Sequence, residues 1–231
     1  MSSLELIWLN ASVLLAGLGQ TLRIALVTLV ASVVIGVALG VAATASGLVL
    51  RWAVRGYVEL LRGIPLVVNV FFVFFGAPLL GLNLSPYAAA VLGLSLWGGA
   101  NGAEIVRGAL GAVPPGQAQA ARALGLRGWQ AFLLVVAPQA LRAALPAWAG
   151  LLALLVQSTT LAALVGVPEF LKVAQLVVER STVMQGLDPA FTVYGVVLTA
   201  YFLLCTPLTW AARRLERQLG ASSRPVALPQ A

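Results

Sequence analysis

Residues 63–103 read GIPLVVNVFFVFFGAPLLGLNLSPYAAAVLGLSLWGGANGA, 41 residues without one Asp, Glu, Lys or Arg. At about 1.5 Å per residue, a single helix of that length would run about 60 Å, twice the roughly 30 Å core of a bilayer. The run must therefore fold back on itself. Its turn lies at Gly76-Ala77-Pro78-Leu79-Leu80-Gly81-Leu82-Asn83-Leu84-Ser85-Pro86, where glycine, proline and asparagine cluster. Two spans result, near 60–79 and 86–107.

Three further uncharged runs lie outward from this hairpin: 24–50 (27 residues), 143–168 (26) and 189–212 (24). Each is long enough for one crossing, which places spans near 21–45, 140–162 and 190–211. The expected fold is all-α, a polytopic membrane protein with five transmembrane helices. Composition agrees: 61% of the 231 residues are apolar, 9% are charged and the mean hydropathy is +0.99. A soluble domain carries roughly 25% charged residues.

The arginines orient the spans. Loop 46–62 holds Arg51, Arg55 and Arg62; segment 107–142 holds Arg107, Arg122, Arg127 and Arg142; the tail holds Arg213, Arg214, Arg217 and Arg224. Eleven of the 14 basic residues thus fall on one side, against Arg23, Lys172 and Arg180 on the other. The basic side is cytoplasmic, so the N-terminus is outside and the C-terminus inside. The net charge of +7 is read in the same way, and nucleic acid is not an expected partner. Nothing basic precedes Arg23, and Glu5 stands where a cleaved leader would be positive. Residues 6–22, also uncharged, include Asn10, Gly17, Gly19 and Gln20. We read them as a helix on the outer interface, with a sixth span as the alternative. The chain divides into an outer interfacial segment (1–20), a transmembrane domain (21–211) and a cytoplasmic tail (212–231).

Composition also excludes chemistry. There is no histidine, hence no imidazole base or histidine metal site, and Cys205 alone forms no intrachain disulfide or cysteine cluster. Lys172, the sole lysine, lies between Leu171 and Val173, outside any Gly-Lys-Ser/Thr phosphate loop. A membrane enzyme would need a base or nucleophile cluster that is missing. A secondary transporter or channel would need a charged relay inside the spans, where ionisable residues are nearly absent.

Residues 107–142 exceed what a linker needs. They contain a helix stop at Val113-Pro114-Pro115-Gly116, an alanine-rich helix from Gln117 to Leu124, a break at Gly125, and a second short helix near Gly128–Leu134 leading to Pro138, where the next span can begin. Two short helices meeting at a glycine suit a docking surface for another protein; an amphipathic surface loop is the plain alternative.

The same stretch resembles the signature loop of ATP-binding-cassette importer permeases, which reads Glu-Ala-Ala, three residues, Gly, nine residues, then Ile-x-Leu-Pro. Gln119, Ala120 and Ala121 open it here, Gly125 has the matching spacing, and Val135-Val136-Ala137-Pro138 closes it. Tyr57–Leu66, Ala103–Gly108 and Val165–Phe170 are similar to further stretches of the permeases for polar amino acids (histidine, glutamine and arginine type). The resemblance runs from about Gln20 to Trp210. It implies a permease subunit in a bacterial inner membrane that forms a path for a polar amino acid. A soluble extracytoplasmic protein would deliver the cargo, and a second permease chain would complete the path. ATPase subunits would hold the ATP and Mg, this chain carrying no cofactor. It implies a coupling loop at 112–138, with Gln117, Gln119, Ala120, Ala121, Gly125, Leu126 and Pro138 facing the ATPase. An opine or polyamine cargo fits the same resemblance.

Departures from the pattern carry information. The signature glutamate is Gln119, which removes any ion pair made there. Where relatives often have Lys-Asp/Asn-Ser/Thr-Ser/Thr-Leu, this chain has Gln157-Ser158-Thr159-Thr160-Leu161, with both charge-bearing positions neutral. The polar run Gln157, Ser158, Thr159, Thr160 is a candidate for the substrate path, or back-bonds to its helix as such residues often do. Glu104 is either a path residue or the partner of Arg107 in an interfacial ion pair. Gly36-x-x-x-Gly40 and Gly98-x-x-x-Gly102 read as close-packing sites. Because Gln157 and Ser158 are neutral, a non-identical second permease is slightly favoured over an identical one. The outer segment 164–190, with Glu169, Lys172, Glu179, Arg180 and Asp188, reads as a loop able to touch a binding protein.

Overall fold

The computed structural model describes residues 3–44, 47–186 and 188–220. Its helices in chain order are α1 (Ser3–Leu9), α2 (Ala11–Ala42), α3 (Leu48–Gly63), α4 (Leu66–Gly76, continued by a 3-10 turn over Ala77–Leu80) and α5 (Pro86–Ala112). There follow α6 (Pro115–Ala123), α7 (Gly128–Ala131), α8 (Ala137–Ser158, continued by a 3-10 stretch over Thr159–Val165), α9 (Phe170–Gln185) and α10 (Ala190–Gly220). Among the described residues there is no strand.

Glycines bring α2 and α5 together at the centre. A Cβ built on Gly36 would stand 2.7 Å from the Gly102 Cα, and one on Gly40 would stand 2.5 Å from the Val106 Cβ. Contacts climb both helices in step, so the two run parallel. The Trp148 ring of α8 closes over the same point, its Cη2 3.0 Å from where a Gly36 Cβ would lie. This is the small-residue packing that membrane helices use, since lipid offers no hydrophobic drive between them. Further out, Ile24, Val70, Ala90, Leu94, Ala162 and Val165 join four elements in one buried cluster.

Three helices are by themselves long and apolar enough to cross a membrane: Ala11–Ala42, Gly128–Val165 and Ala190–Leu219. The pair Leu48–Gly63 and Leu66–Leu80 is bent by 105° and meets the same length and apolarity only when both helices are counted together. The expected hairpin turn is present, with Gly81 left-handed at φ 76 and the Ser85 hydroxyl capping α5 by accepting from the Ala88 N–H at 3.2 Å.

Several boundaries differ from the sequence reading. The first long helix, α2, starts at Ala11, so residues 11–22 are its opening turns and not a helix of their own. Asn10 bends the chain there, its side-chain amide donating to the Leu6 carbonyl at 2.9 Å. The basic loop 46–62 is largely the helix α3. Pro65 ends it, and because Pro65 has no N–H for the Leu61 carbonyl, the buried Asn69 amide donates there instead, at 3.1 Å. Pro138 stands in the first turn of α8, where the sequence reading starts the next span, but the chain does not break before it. A π turn over Phe132–Val136 carries α7 into α8, with the Ala137 N–H donating to the Phe132 carbonyl, and this widened turn accommodates the proline. The outer segment folds as α9. Of the tail 212–231, residues 212–220 extend α10, while 221–231, Arg224 included, lie outside the described residues, as do residues 1–2 of the N-terminal segment.

Candidate coupling surface and substrate path

Val113 is extended (φ −75°, ψ 124°), as the residue before a proline must be, and α5 stops there. Pro115 then starts α6 at the one position where a missing N–H costs nothing. At its far end the Gly125 N–H donates to the Arg122 carbonyl (2.9 Å) and the Leu126 N–H to the Ala121 carbonyl (3.2 Å). This is a Schellman cap, and it needs a left-handed residue; Gly125 supplies it at φ 90. A Cβ at Gly125 would meet nothing within 4 Å, so glycine is required by the backbone and not by crowding. The Gln130 side chain then accepts from the Arg127 N–H at 2.8 Å and opens α7.

Ala121 and Ala131 are the buried residues of α6 and α7. Gln117, Gln119, Ala120, Gly125 and Pro138 are exposed, and Leu126 is half-buried. Two apolar side chains that the sequence reading did not single out share this surface: Leu124 is 86% exposed and Trp129 60%. The signal was available, since Leu124 adjoins Gly125 and Trp129 adjoins Gly128, in a stretch (114–131) whose other large apolar residue is Leu126. From 112 to 138 there is no acidic residue, only Arg122 and Arg127. The surface is apolar and basic, and it is solvent-facing in this chain taken alone.

The polar run at the end of α8 divides by face. Thr159 is fully buried and donates to the Val156 carbonyl at 2.8 Å; Thr160 donates to the Gln157 carbonyl at 2.8 Å. Ser158 is half-buried. Gln157 is exposed and lines an open groove of about 550 Å³ along α10, with Tyr201, Cys205, Thr206, Thr209 and Arg213. Glu104 is not part of this region. It lies ten residues, or about 15 Å of helix, beyond Leu94, which packs with Ala162 and Val165. Its carboxylate accepts from Arg107 Nη2 at 2.6 Å and Nε at 3.0 Å, with Arg62 at 3.9 Å.

Glu169, read from sequence as a loop acid, is completely buried. Its Oε1 accepts from the Lys172 N–H (2.8 Å) and its Oε2 from the Leu171 N–H (3.1 Å), the Thr21 hydroxyl (3.2 Å) and the Tyr201 hydroxyl (3.0 Å). The carboxylate therefore caps α9 and ties it to α2 and α10. Glutamate is not one of the usual N-cap residues, so this cap is seen only in the structure.

Comparison with known proteins places these features in a family. Residues 32–220 match the binding-protein-dependent transport system inner membrane component. The chain is 36% identical to a probable amino-acid ABC transporter permease protein, YckA, of Bacillus subtilis, over 82% of this chain and 81% of that protein. It is 32% identical to the glutamine transport system permease protein GlnP of Escherichia coli, over 92% of this chain and 95% of the relative. Its fold is similar to that of a crystallised amino acid ABC transporter with histidines, at a TM-score of 0.83 and 24% identity over 94% of this chain and 99% of the other.

Proposed function

Since this chain belongs to the binding-protein-dependent transport system inner membrane components, a family of multi-pass membrane permeases, we propose that it moves a polar amino acid inward as one permease of an ATP-driven importer. The observation that carries this reading is the α6–α7 surface. A membrane chain that holds a bent, acid-free pair of helices in place by a glycine cap, and leaves Leu124 and Trp129 uncovered, offers a partner a rigid handle. We assign that partner as the ATPase, which carries the ATP and Mg; this chain supplies no catalytic group. Gln117, Gln119, Ala120, Ala121, Gly125, Leu126 and Pro138 belong to the coupling segment, and ATP-driven closure of the ATPases rocks the spans through it. Coupling of this kind requires contacts that differ between the two states.

The proposed topology has five spans in the cell inner membrane, built on α2, α4, α5, α8 and α10, with α3 outside the spans on the inner side and the N-terminus outside. At 27 residues, α5 is about 40 Å long. Its lower apolarity goes with its central position, where Gly98, Gly99 and Gly102 are buried against other helices. The delivering protein meets the outer face beside α9.

For the path we propose the groove along α8 and α10, where Gln157 stands with Tyr201, Thr206, Thr209 and Arg213; Ser158 and Thr160 lie beside it at the same helix end, Thr159 is buried behind them, and Glu104 belongs to the inner ion pair. An amino acid leaving water brings an ammonium and a carboxylate, and each needs compensation. Arg213 is the charged group in the groove's lining and can meet only the carboxylate; Glu169 does not serve the ammonium, because four donors already fill its oxygens. We therefore propose a second, non-identical permease bearing the charged half of the site. Reconstitution of the importer with this chain as its sole permease tests that pairing. Basal ATP hydrolysis without amino-acid uptake is expected; uptake in that preparation would contradict the mixed pair.

A further inference from the structure

Helix α3 has three faces rather than two. Val54, Tyr57, Val58 and Leu61 recur at helical spacing and lie against the protein; Val54 and Val58 are buried, and the Tyr57 hydroxyl donates to the Leu96 carbonyl of α5 at 2.8 Å. A second face, with Val49 (84% exposed), Ala53 and Leu60 (60%), is apolar and uncovered. The third carries Arg51, Arg55, Glu59 and Arg62, also at helical spacing. Trp52, 65% exposed, sits where the apolar and basic faces meet, the position an indole takes at a membrane interface. The 105° bend at Pro65 turns this helix away from α4. A helix with one side on protein, one apolar and one basic matches the boundary between acyl chains and headgroups.

The basic face closes a cleft of about 460 Å³ against the inner end of α5, lined by Arg51, Arg55, Arg62 and Arg107 with Glu59 and Glu104. Arg55 is taken up by Glu59 at 2.7 Å, and Arg107 by Glu104 at 2.6 Å. Arg62 only approaches Glu104, at 3.9 Å, and Arg51 makes no ion pair among the described residues. Four guanidiniums against two carboxylates leave two positive charges uncompensated in one concave site beside exposed apolar surface. We propose that this cleft binds the phosphodiesters of anionic phospholipids, with acyl chains along Val49, Ala53 and Leu60 and phosphates at its two ends, one at Arg51 and one at Arg62, about 16 Å apart along the helix. Guanidinium groups match phosphate in charge and in paired hydrogen-bond geometry, and basic pockets at helix ends are where such headgroups collect. The apolar face decides for a lipid over free phosphate, because only a lipid satisfies both faces together.

The test uses the full chain with its co-purifying subunits in phosphatidylcholine nanodiscs with and without phosphatidylglycerol, counting retained lipid by native mass spectrometry. The parent should retain phosphatidylglycerol selectively. Arg51→Gln with Arg62→Gln should lower that retention about tenfold, and Arg51→Lys with Arg62→Lys should keep most of it. Both pairs lie at exposed positions, so insertion is expected to persist, and the lysine pair controls for folding. Absence of selectivity in the parent, equal retention in the glutamine pair, or displacement of the lipid by inorganic phosphate at matched ionic strength would each overturn the proposal.

Discussion

Gly36 faces Gly102 across α2 and α5, and the first methyl added there has nowhere to go. A Cβ at Gly36 would lie 2.7 Å from the Gly102 Cα and 2.8 Å from its carbonyl carbon, backbone atoms that cannot swing aside. Gly36→Ala should therefore separate the two helices and destabilise the protein by about 1–3 kcal/mol, the usual cost of overpacking, read as a lowered melting temperature in detergent. Gly19, on the same helix, has nothing within 4 Å of a built Cβ, and Gly19→Ala should leave the melt unchanged. An equal effect at both positions would show that helix propensity, not packing, is being measured. The Gly-x-x-x-Gly spacing was readable in sequence, but which helix it faced was not, since such motifs are common in membrane helices. The parallel register and the Trp148 ring over the contact come from the tertiary fold.

At the scale of elements, α9 is held by one buried carboxylate. Phe170, Val173, Ala174 and Val177 pack it on Leu14, Val193 and Val197, while Glu169 joins its first turn to Thr21 and Tyr201. Glu169→Ala removes the acceptor for four donors, an expected cost of about 2–4 kcal/mol. It should also loosen α9 from the outer ends of α2 and α10. In a Cys205→Ser background, a cysteine at Ala174 should resist a membrane-impermeant maleimide in the parent and react once Glu169 is lost. Protection that survives Glu169→Ala would assign the docking of α9 to its apolar face alone. This element also marks the limit of sequence reading. Charge gaps located the apolar spans, because desolvated charge is costly in lipid. The same rule read α3 and α9 as loops, since both helices carry several charges. Glu169 was legible neither as a cap, a role glutamate seldom takes, nor as buried, because burial depended on Thr21 and Tyr201, 148 and 32 residues away. At Pro138 the sequence marks the start of α8, but not the π turn that joins it to α7 without a break.

At the scale of the whole molecule, topology and coupling stand or fall separately. Reporters fused after Gly81 and Asp188 should lie outside, and those after Arg122 and Arg217 inside, since eleven basic residues sort to one side of the proposed membrane. A cytoplasmic signal at Asp188 would refute the five-span arrangement while leaving the family membership untouched. The central claim is that the α6–α7 surface is where ATPase motion enters the membrane. Gly125 is the position at which to interrogate it: φ is 90°, no neighbour would clash, and any other residue strains the cap by about 1–2 kcal/mol without touching the spans. The most direct measurement is the ATPase subunit recovered with a tagged chain from membranes, parent against Gly125→Glu at equal membrane insertion. The account predicts stoichiometric ATPase with the parent and little or none with Gly125→Glu. Equal recovery, with ATP-driven uptake intact in the variant, would contradict it.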